Sequence, residues 1–247
     1  MKEISLKGKK AVITGGAKNM GRIIALELAR LGVDIAVGYY KSFREAEMTV
    51  KEIQAFGVKA LSVKADIRKS SEAEGFVESA VRGLGGIDYL INNAGYFQSA
   101  DIDKVDRKMW FDALTTNLTG PFFCAQKAAE YMKRQGSGKI VNISSLGGIR
   151  PWPKSIPYCA SKAGLIMLTQ CLAVALAPEI QVNAIAPGMI TLPDSYSDEI
   201  RERIVKRIPL KKTGKFEDIA KAVVFLLSES NFTTGEVLTI DGGQKLR

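Results

Sequence analysis

Short apolar runs alternate along the chain with stretches in which apolar residues recur at helical spacing. The runs predict seven buried strands, at residues 10–13, 35–37, 60–63, 88–92, 140–144, 182–186 and 237–240. The helical spacing predicts helices at residues 22–31, 42–57, 71–84, 158–176 and 216–228, and a long helical region between the fourth and fifth strands. The sequences Ser42-x-x-Glu45 and Ser71-x-x-Glu74 indicate capping boxes at two helix starts.

Strands that alternate with helices are joined by right-handed crossovers and form a parallel sheet that is covered on both faces. The series runs through the chain without a low-complexity linker, an internal repeat or a change in composition. We therefore expect an α/β fold with a single domain over residues 1–247. Its core is predicted to be a Rossmann-type doubly wound parallel sheet of about seven strands with helices on both faces.

A glycine-rich sequence, Thr14-Gly-Gly-Ala-Lys-Asn-Met-Gly21, lies between the first strand and the first helix. In this context backbone N–H groups at a helix start bind a pyrophosphate, so we expect a dinucleotide site. A carboxylate at the end of the second strand would favour NAD, but residues 38–44 contain none. Lys41 and Arg44 are instead placed to contact a 2′-phosphate, and Ser42 is placed to donate a hydrogen bond to it. Lys18 points to the same region. NADPH is therefore favoured over NADH.

The composition removes several kinds of chemistry. The chain has no histidine, which excludes Ser-His-Asp and Cys-His triads and imidazole metal sites, and we expect no metal. Cys124, Cys159 and Cys171 show no paired spacing, as is typical of free thiols in a reducing compartment. The N-terminus lacks a signal-peptide pattern, and no stretch approaches the ~18 apolar residues of a membrane span. We expect a soluble cytoplasmic protein with no membrane partner.

The net charge of +9 is densest in the segment 201–215. No zinc-finger, basic-zipper or aromatic RNA-binding pattern accompanies it, so we expect no nucleic-acid partner. Two interpretations of the segment remain open. It is either a docking surface for an acidic protein partner or a solvated surface.

Polar residues at element ends form a specific set. Tyr158 and Lys162 are four residues apart and share one helix face. Ser145 follows the fifth strand, at the sheet edge where loops line ligand crevices. Asn92–Gly95 follows the fourth strand, and Asn117 lies in the helical region beyond it. A Tyr-x-x-x-Lys pair alone is common, whereas the combination is specific.

With these residues the chain resembles the short-chain dehydrogenase/reductase family over nearly its whole length, and among its members the bacterial 3-oxoacyl-[acyl-carrier-protein] reductases. The matching segments are Thr14–Gly21, Asp66, Asn92–Gly95, Asn117, Ser145, Tyr158, Lys162, Pro187–Thr191, Ile208–Leu210, Glu217–Ala220 and Asp241–Gly243.

The resemblance implies an NADP(H)-dependent carbonyl reductase with Asn117, Ser145, Tyr158 and Lys162 as its catalytic tetrad. Tyr158 would protonate the developing alkoxide, Ser145 would hydrogen-bond the same oxygen, and Asn117 would position a water. A phenol has an ordinary pKa of about 10, which is poorly matched to acid–base work at pH 7. The Lys162 ammonium, which would also hold the nicotinamide ribose, and an oxidised nicotinamide are expected to lower that pKa.

By the same resemblance Asp66 would contact the adenine and Asn93 would pack beside the adenosine. The residues predicted to bind the cofactor are Gly15, Ala17, Lys18, Asn19, Met20, Gly21, Tyr40, Lys41, Ser42, Asp66, Ile67, Asn93, Ala94, Gly95, Tyr158, Lys162, Pro187, Gly188 and Ile190.

Because of two positions, the sequence is compatible with more than one class of substrate. Asn19 stands where the family usually has a glycine, although Asn tolerates left-handed backbone angles. Pteridine reductases share that departure and the flanking residues, yet they have Asp where this chain has Ser145. The candidates are a 3-oxoacyl thioester, or a pterin, sugar or small ketone. A non-catalytic NADPH- or nucleic-acid-binding protein is the third alternative, but it has no need of Tyr158 with Lys162.

The substrate walls and the oligomer are also expectations. By the resemblance, residues 189–212 correspond to the variable substrate lid, whose basic run after Arg201 is either a docking surface for an acidic acyl carrier protein or a solvated lid helix. The lid residues expected to line a pocket are Pro193, Tyr196 and Ile200. Another wall is expected from Pro151, Trp152 and Pro153. Trp152 is either part of such a wall or a packing residue, and Cys159 is expected to pack rather than to react.

The family is usually tetrameric. The apolar residues expected to be available for contacts between subunits are Phe122, Phe123, Ala125, Leu165, Leu168 and Leu172. The sheet alone is an equally good partner for them.

Overall fold

The computed structural model describes residues 6–192 and 196–246, which form a seven-stranded sheet and its covering helices. The strands are β1 (Lys10–Thr14), β2 (Asp34–Tyr39), β3 (Ala60–Lys64), β4 (Tyr89–Asn92), β5 (Gly138–Ile143), β6 (Ile180–Pro187) and β7 (Val237–Ile240). The helices are α1 (Asn19–Arg30), α2 (Phe43–Gln54), α3 (Ser70–Leu84), α4 (Arg107–Leu114), α5 (Gly120–Gln135), α6 (Ile156–Ala175), α7 (Asp198–Arg207) and α8 (Phe216–Ser228).

All neighbouring strands are parallel, in the order β3-β2-β1-β4-β5-β6-β7. Successive strand residues enter opposite cores: Ile13 packs with α1 and α8 on one face, whereas Val12 packs with α3 and α5 on the other. Because both faces of the central strands are buried, β1, β2 and β4 are mostly apolar rather than alternating. The predicted doubly wound α/β fold is confirmed.

The strand order reverses between β1 and β4, which creates the crevice where doubly wound folds bind ligands. Thr14 and Asn92 are register partners at the carboxyl ends of these two strands. The glycine-rich turn and the segment Asn92–Gly95 therefore leave the sheet side by side. On the next strand, Ile143 ends β5 and brings Ser144 and Ser145 to the same edge.

Several local predictions are wrong. Ser42 precedes α2 but its side chain makes no capping hydrogen bond, and α3 starts at Ser70 with Lys69 as its cap residue. The Glu72 carboxylate in α3 accepts the backbone N–H of Asp66 instead. Neither predicted capping box forms, since Ser42 makes no capping bond and Ser71 lies inside α3 rather than at its cap.

The predicted long helical region consists of several pieces. A 3₁₀ turn at Ile102–Lys104 precedes α4, and a π-helical turn at Thr115–Thr119 joins α4 to α5. Such π turns occur frequently at functional sites. The Asn117 side chain lies in this turn and is fully buried.

The expectation that no segment resembles a membrane span is wrong for α6. This 20-residue helix has a mean hydropathy of 1.3, so by length and composition it is apolar enough to cross a membrane. It also carries Tyr158 and Lys162, and its buried residues Leu165 and Ala173 face the protein interior. The core helix of a globular protein passes the same test of composition.

Candidate active site

One cavity of about 1660 Å³ lies along the carboxyl edge of the sheet. Each of the nineteen residues predicted to bind the cofactor lines it, and so do three of the four predicted catalytic residues. The exception is Asn117, which lies behind the wall. Arg44, on the exposed side of α2, does not line the cavity either, and its predicted 2′-phosphate contact stays a prediction.

The glycine-rich turn has the backbone that a dinucleotide requires. Gly15 and Asn19 adopt left-handed angles, with φ of 63° and 50°, so the asparagine keeps the turn as predicted. A Cβ on Gly21 would overlap the Gly15 carbonyl oxygen and approach the Asn93 amide nitrogen to 2.5 Å. The cap residue of α1, Lys18, makes no side-chain capping bond, which leaves the helix start to an anion. The turn therefore fits a pyrophosphate.

Asn93 supports the turn from the neighbouring strand end. Its side-chain amide donates to the carbonyl oxygens of Thr14 and Gly15, at 3.0 Å each. The Thr14 hydroxyl accepts the backbone N–H groups of Asn93 and Ala94, at 2.9 and 3.0 Å. Asn93 lines the cavity as predicted, but its amide is committed to holding the turn.

At the adenosine end an arginine that the sequence reasoning missed lines the cavity. Arg68 pairs with Asp66 through two hydrogen bonds of 2.8 and 2.6 Å and reaches Asp112 on α4 at 3.2 Å. Its guanidinium carbon lies 5.2 Å from the centre of the Tyr40 ring, and the Lys41 ammonium lies 5.4 Å from the same ring. A hydrogen bond from Arg68 lowers the pKa of Asp66 despite burial. Asp66 therefore stays charged, and two cations flank Tyr40.

The catalytic end combines two helical residues with a loop serine. The Lys162 ammonium is buried, donates to the Ile143 carbonyl at 2.7 Å and lies 5.9 Å from the centre of the Tyr158 ring. The Ser144 hydroxyl donates to the Lys162 carbonyl at 3.0 Å, which fixes α6 against the end of β5. Ser145 accepts the Gly147 N–H at 3.0 Å, and its side chain also hydrogen-bonds Tyr158.

The predicted lowering of the Tyr158 pKa by Lys162 and an oxidised nicotinamide stays a prediction. Burial raises the pKa of Tyr158, and a hydrogen bond with the Ser145 side chain opposes that rise. Burial also lowers the pKa of Lys162 to about 8. Both shifts follow from desolvation, which disfavours the charged form of each group. Tyr158 therefore keeps its proton at neutral pH, the state that a proton donor requires.

Both side-chain amide hydrogens of Asn117 are used in hydrogen bonds within the protein. They are donated to the Tyr96 carbonyl at 2.9 Å and to the Ser161 hydroxyl at 3.0 Å, while the amide oxygen accepts the Tyr96 N–H at 2.8 Å. A Cβ on Gly95 would lie 3.6 Å from that oxygen and 3.9 Å from the Lys162 nitrogen. The side chain thus ties the Asn92–Gly95 loop to α6, and its predicted role in positioning a water stays a prediction.

The substrate walls are partly as expected. Pro151, Trp152 and Tyr196 line the cavity, whereas Pro153 and Ile200 do not, and Pro193 lies outside the described residues. Residues 198–207 of the lid form α7, from which Lys206 and Arg207 reach the cavity. Burial raises the pKa of the Cys159 thiol, consistent with the packing role expected for it. Within residues 6–192 and 196–246, no three Cys, Asp or Glu side chains cluster as metal ligands do.

The family model described as enoyl-(acyl carrier protein) reductase matches residues 15–245, almost the whole chain. The chain belongs to the short-chain dehydrogenase/reductase family. The 3-oxoacyl-[acyl-carrier-protein] reductase FabG of Staphylococcus aureus is 40% identical over 239 residues, which are 95% of this chain and 97% of that protein.

Solved structures of this oxidoreductase family show the same architecture. NAD⁺-bound xylitol dehydrogenase matches with a TM-score of 0.90 and 32% identity, over 96% of this chain and 99% of that one. The NADPH-dependent 3-quinuclidinone reductase of Rhodotorula rubra matches with a TM-score of 0.91 and 29% identity, over 98% and 93%. Within the family, one architecture therefore holds either nicotinamide cofactor, so the choice between them depends on individual residues.

Proposed function

We propose that this short-chain dehydrogenase/reductase uses NADPH to reduce the 3-oxo group of an acyl thioester to a hydroxyl group. The observation that carries the proposal is the single cavity that joins the glycine-rich turn to Ser145, Tyr158 and Lys162. The similarity to a 3-oxoacyl-[acyl-carrier-protein] reductase supports the substrate class. Lys206 and Arg207 on the cavity wall are suited to an anionic carrier group.

The proposed reaction needs a proton donor at the substrate oxygen. When bound, NADPH supplies a hydride to the carbonyl carbon. Tyr158 gives its phenolic proton to the carbonyl oxygen as the C=O double bond becomes a single bond. Ser145 donates a hydrogen bond to the same oxygen and so stabilises the charge that develops there. Lys162, charged below a pKa of about 8, favours the phenolate that remains and would hold the nicotinamide ribose.

The preference for NADPH rests on cations at the adenosine end. Lys18 and Lys41 line the cavity beside Ser42, and Arg68 adds a third positive group. A 2′-phosphate gains charge-assisted hydrogen bonds from such groups, whereas the 2′-hydroxyl of NADH does not. We expect wild-type kcat/KM to be at least tenfold higher with NADPH, and Lys41→Ala to remove most of that preference. Lys51→Ala is the matched control, because Lys51 is an exposed lysine that does not line the cavity. Equal efficiency with both cofactors would refute this assignment.

A substrate panel tests the reaction itself. Oxidation of NADPH should be followed with an acetoacetyl thioester, a dihydropterin and small diketones at equal concentration. We expect the thioester to give the highest kcat/KM, with Tyr158→Phe inactive on every compound. If the dihydropterin or a diketone is turned over fastest, the proposed thioester substrate is refuted and the proposed reductase activity still stands. Absence of turnover on all of them by the wild type would count against an enzyme.

We also propose a homotetramer in the cytoplasm. Ala125 and Leu165, expected to be shared, are already buried within the chain. Met167 and Val174 on α6 are exposed instead, as is Phe111 on α4, which packs against α6. Sedimentation of the wild type should give four chains, and Val174→Glu should give smaller species. A monomeric wild type would refute the tetramer. Secretion with oxidised Cys171 would refute the cytoplasmic location.

A further inference from the structure

Two aromatic side chains flank Tyr158 within the cavity. The Trp152 ring is nearly parallel to the phenol, with 6.0 Å between ring centres and 11° between planes. The Phe97 ring meets it edge-on, with 4.9 Å between centres and 88° between planes. Both side chains line the cavity, and Phe97 remains 58% exposed. Phe97 and Trp152, called the aromatic pair below, therefore present ring surface beside the proton donor.

The loops that carry the aromatic pair are fastened to each other. The Ser99 and Ser155 hydroxyl oxygens are 3.0 Å apart, and the Ala100 N–H donates to the Lys154 carbonyl at 2.8 Å. The buried Ser155 donates its backbone N–H to the Trp152 carbonyl at 2.9 Å. These bonds join the loop that carries Phe97 to the loop that carries Trp152. They fix the two rings relative to each other beside Tyr158.

A glycine gives the two stacked rings their space. A Cβ on Gly147 would lie 3.1 Å from the Trp152 ring and 3.2 Å from the Tyr158 ring, closer than most carbon contacts. Proton transfer requires Tyr158, Ser145 and Lys162, but it does not require large aromatic neighbours. A half-exposed phenyl ring on a cavity wall gains free energy when a flat apolar group covers it.

We propose that Phe97 and Trp152 determine specificity, favouring substrates in which a flat aromatic ring is attached to the reacting carbonyl. The inference rests on the proposed reductase function and narrows its substrates to 3-aryl-3-oxoacyl thioesters. A planar ring stacks on the aromatic pair, whereas a saturated ring of similar volume meets the same faces with poor contact. Offset or edge-on aromatic pairs add a factor of about two to ten in affinity beyond burial alone.

Two matched probes separate flatness from size: the 3-oxo-3-phenylpropanoyl and 3-oxo-3-cyclohexylpropanoyl thioesters of N-acetylcysteamine. The ratio of kcat/KM for phenyl over cyclohexyl is compared among variants, so that the intrinsic reactivity of the two ketones cancels. We expect the ratio to fall about fivefold in Trp152→Leu and in Phe97→Leu. Phe232→Leu, at a fully exposed phenylalanine, should leave the ratio unchanged. A ratio that is the same in wild type and in both pair variants would overturn the proposal.

A binding measurement keeps this inference separate from the proposed function. The chain has two tryptophans, so Trp152 is the sole emitter in Trp110→Phe. With NADP⁺ bound, neither thioester can be reduced, and its dissociation constant follows from the change in Trp152 emission. We expect the phenyl compound to bind at least threefold more tightly than the cyclohexyl compound. Tighter phenyl binding without turnover would refute the proposed reductase and keep the aromatic preference. Equal dissociation constants would refute the preference whatever the activity.

Discussion

Replacing Lys162 by Met should stabilise the fold while it removes activity. The lysine is buried, and burial lowers its pKa from 10.5 to about 8. That difference corresponds to about 3 kcal/mol by which the fold disfavours the charged side chain. Met is of similar length and apolar, and the variant loses the 2.7 Å hydrogen bond to Ile143, which contributes about 1 kcal/mol. The net expectation is an increase of about 2 kcal/mol in the free energy of unfolding at pH 7.

The dependence on pH provides the sharper measurement. Below pH 8 Lys162 is charged in both the folded and the unfolded state, and the folded wild type carries the full free-energy cost of burying that charge. Between pH 8 and 10.5 the folded lysine has lost its proton and the unfolded one has kept it, so wild-type stability rises with pH. The variant has no such group, and its advantage should therefore disappear over that range.

Urea unfolding at a fixed protein concentration, at several values between pH 7 and 10.5, tests this reasoning. Lys104→Met, at a lysine whose side chain is 75% exposed, is the control and should change stability by less than about 0.5 kcal/mol. Either of two results would refute the argument. One is a variant less stable than wild type at pH 7, and the other is a stability difference that does not change with pH.

Three further substitutions test the site. Tyr158→Phe should abolish turnover while calorimetry still detects NADPH binding, and retained full activity would rule out the proton donor. Gly21→Ala should weaken NADPH binding at least tenfold because its Cβ has no room, whereas Gly75→Ala, with nothing within 4 Å, should leave binding unchanged. Arg68→Met leaves the buried Asp66 unpaired and should lower the free energy of unfolding by about 1–3 kcal/mol at pH 7. Since pairing lowers the pKa of Asp66, that loss should shrink as the pH falls below about 4, and a constant loss would exclude the ion pair as its cause.

Patterns local in the sequence determined much of the fold. Each strand includes a short run rich in apolar residues, as is typical of a parallel sheet covered on both faces, and all seven strands were predicted to within about two residues. The glycine-rich turn could also be predicted from the sequence, since a strand, a turn and a helix follow one another directly. Helix starts were less certain. The predicted Ser42 cap makes no side-chain bond, and α3 starts one residue before Ser71, so neither capping box was correct.

The sequence by itself determined the order of the elements along the chain and which residues follow each strand end, because both follow from local patterns. Only the tertiary structure decided that β1 and β4 pair in register and what surrounds each group at the carboxyl edge of the sheet. It placed Arg68 against Asp66 and Trp152 against Tyr158, and it buried Tyr158 and Lys162 enough to raise the pKa of one and lower the pKa of the other. These outcomes depend on distances and hydration among segments far apart in the chain, which no local pattern encodes.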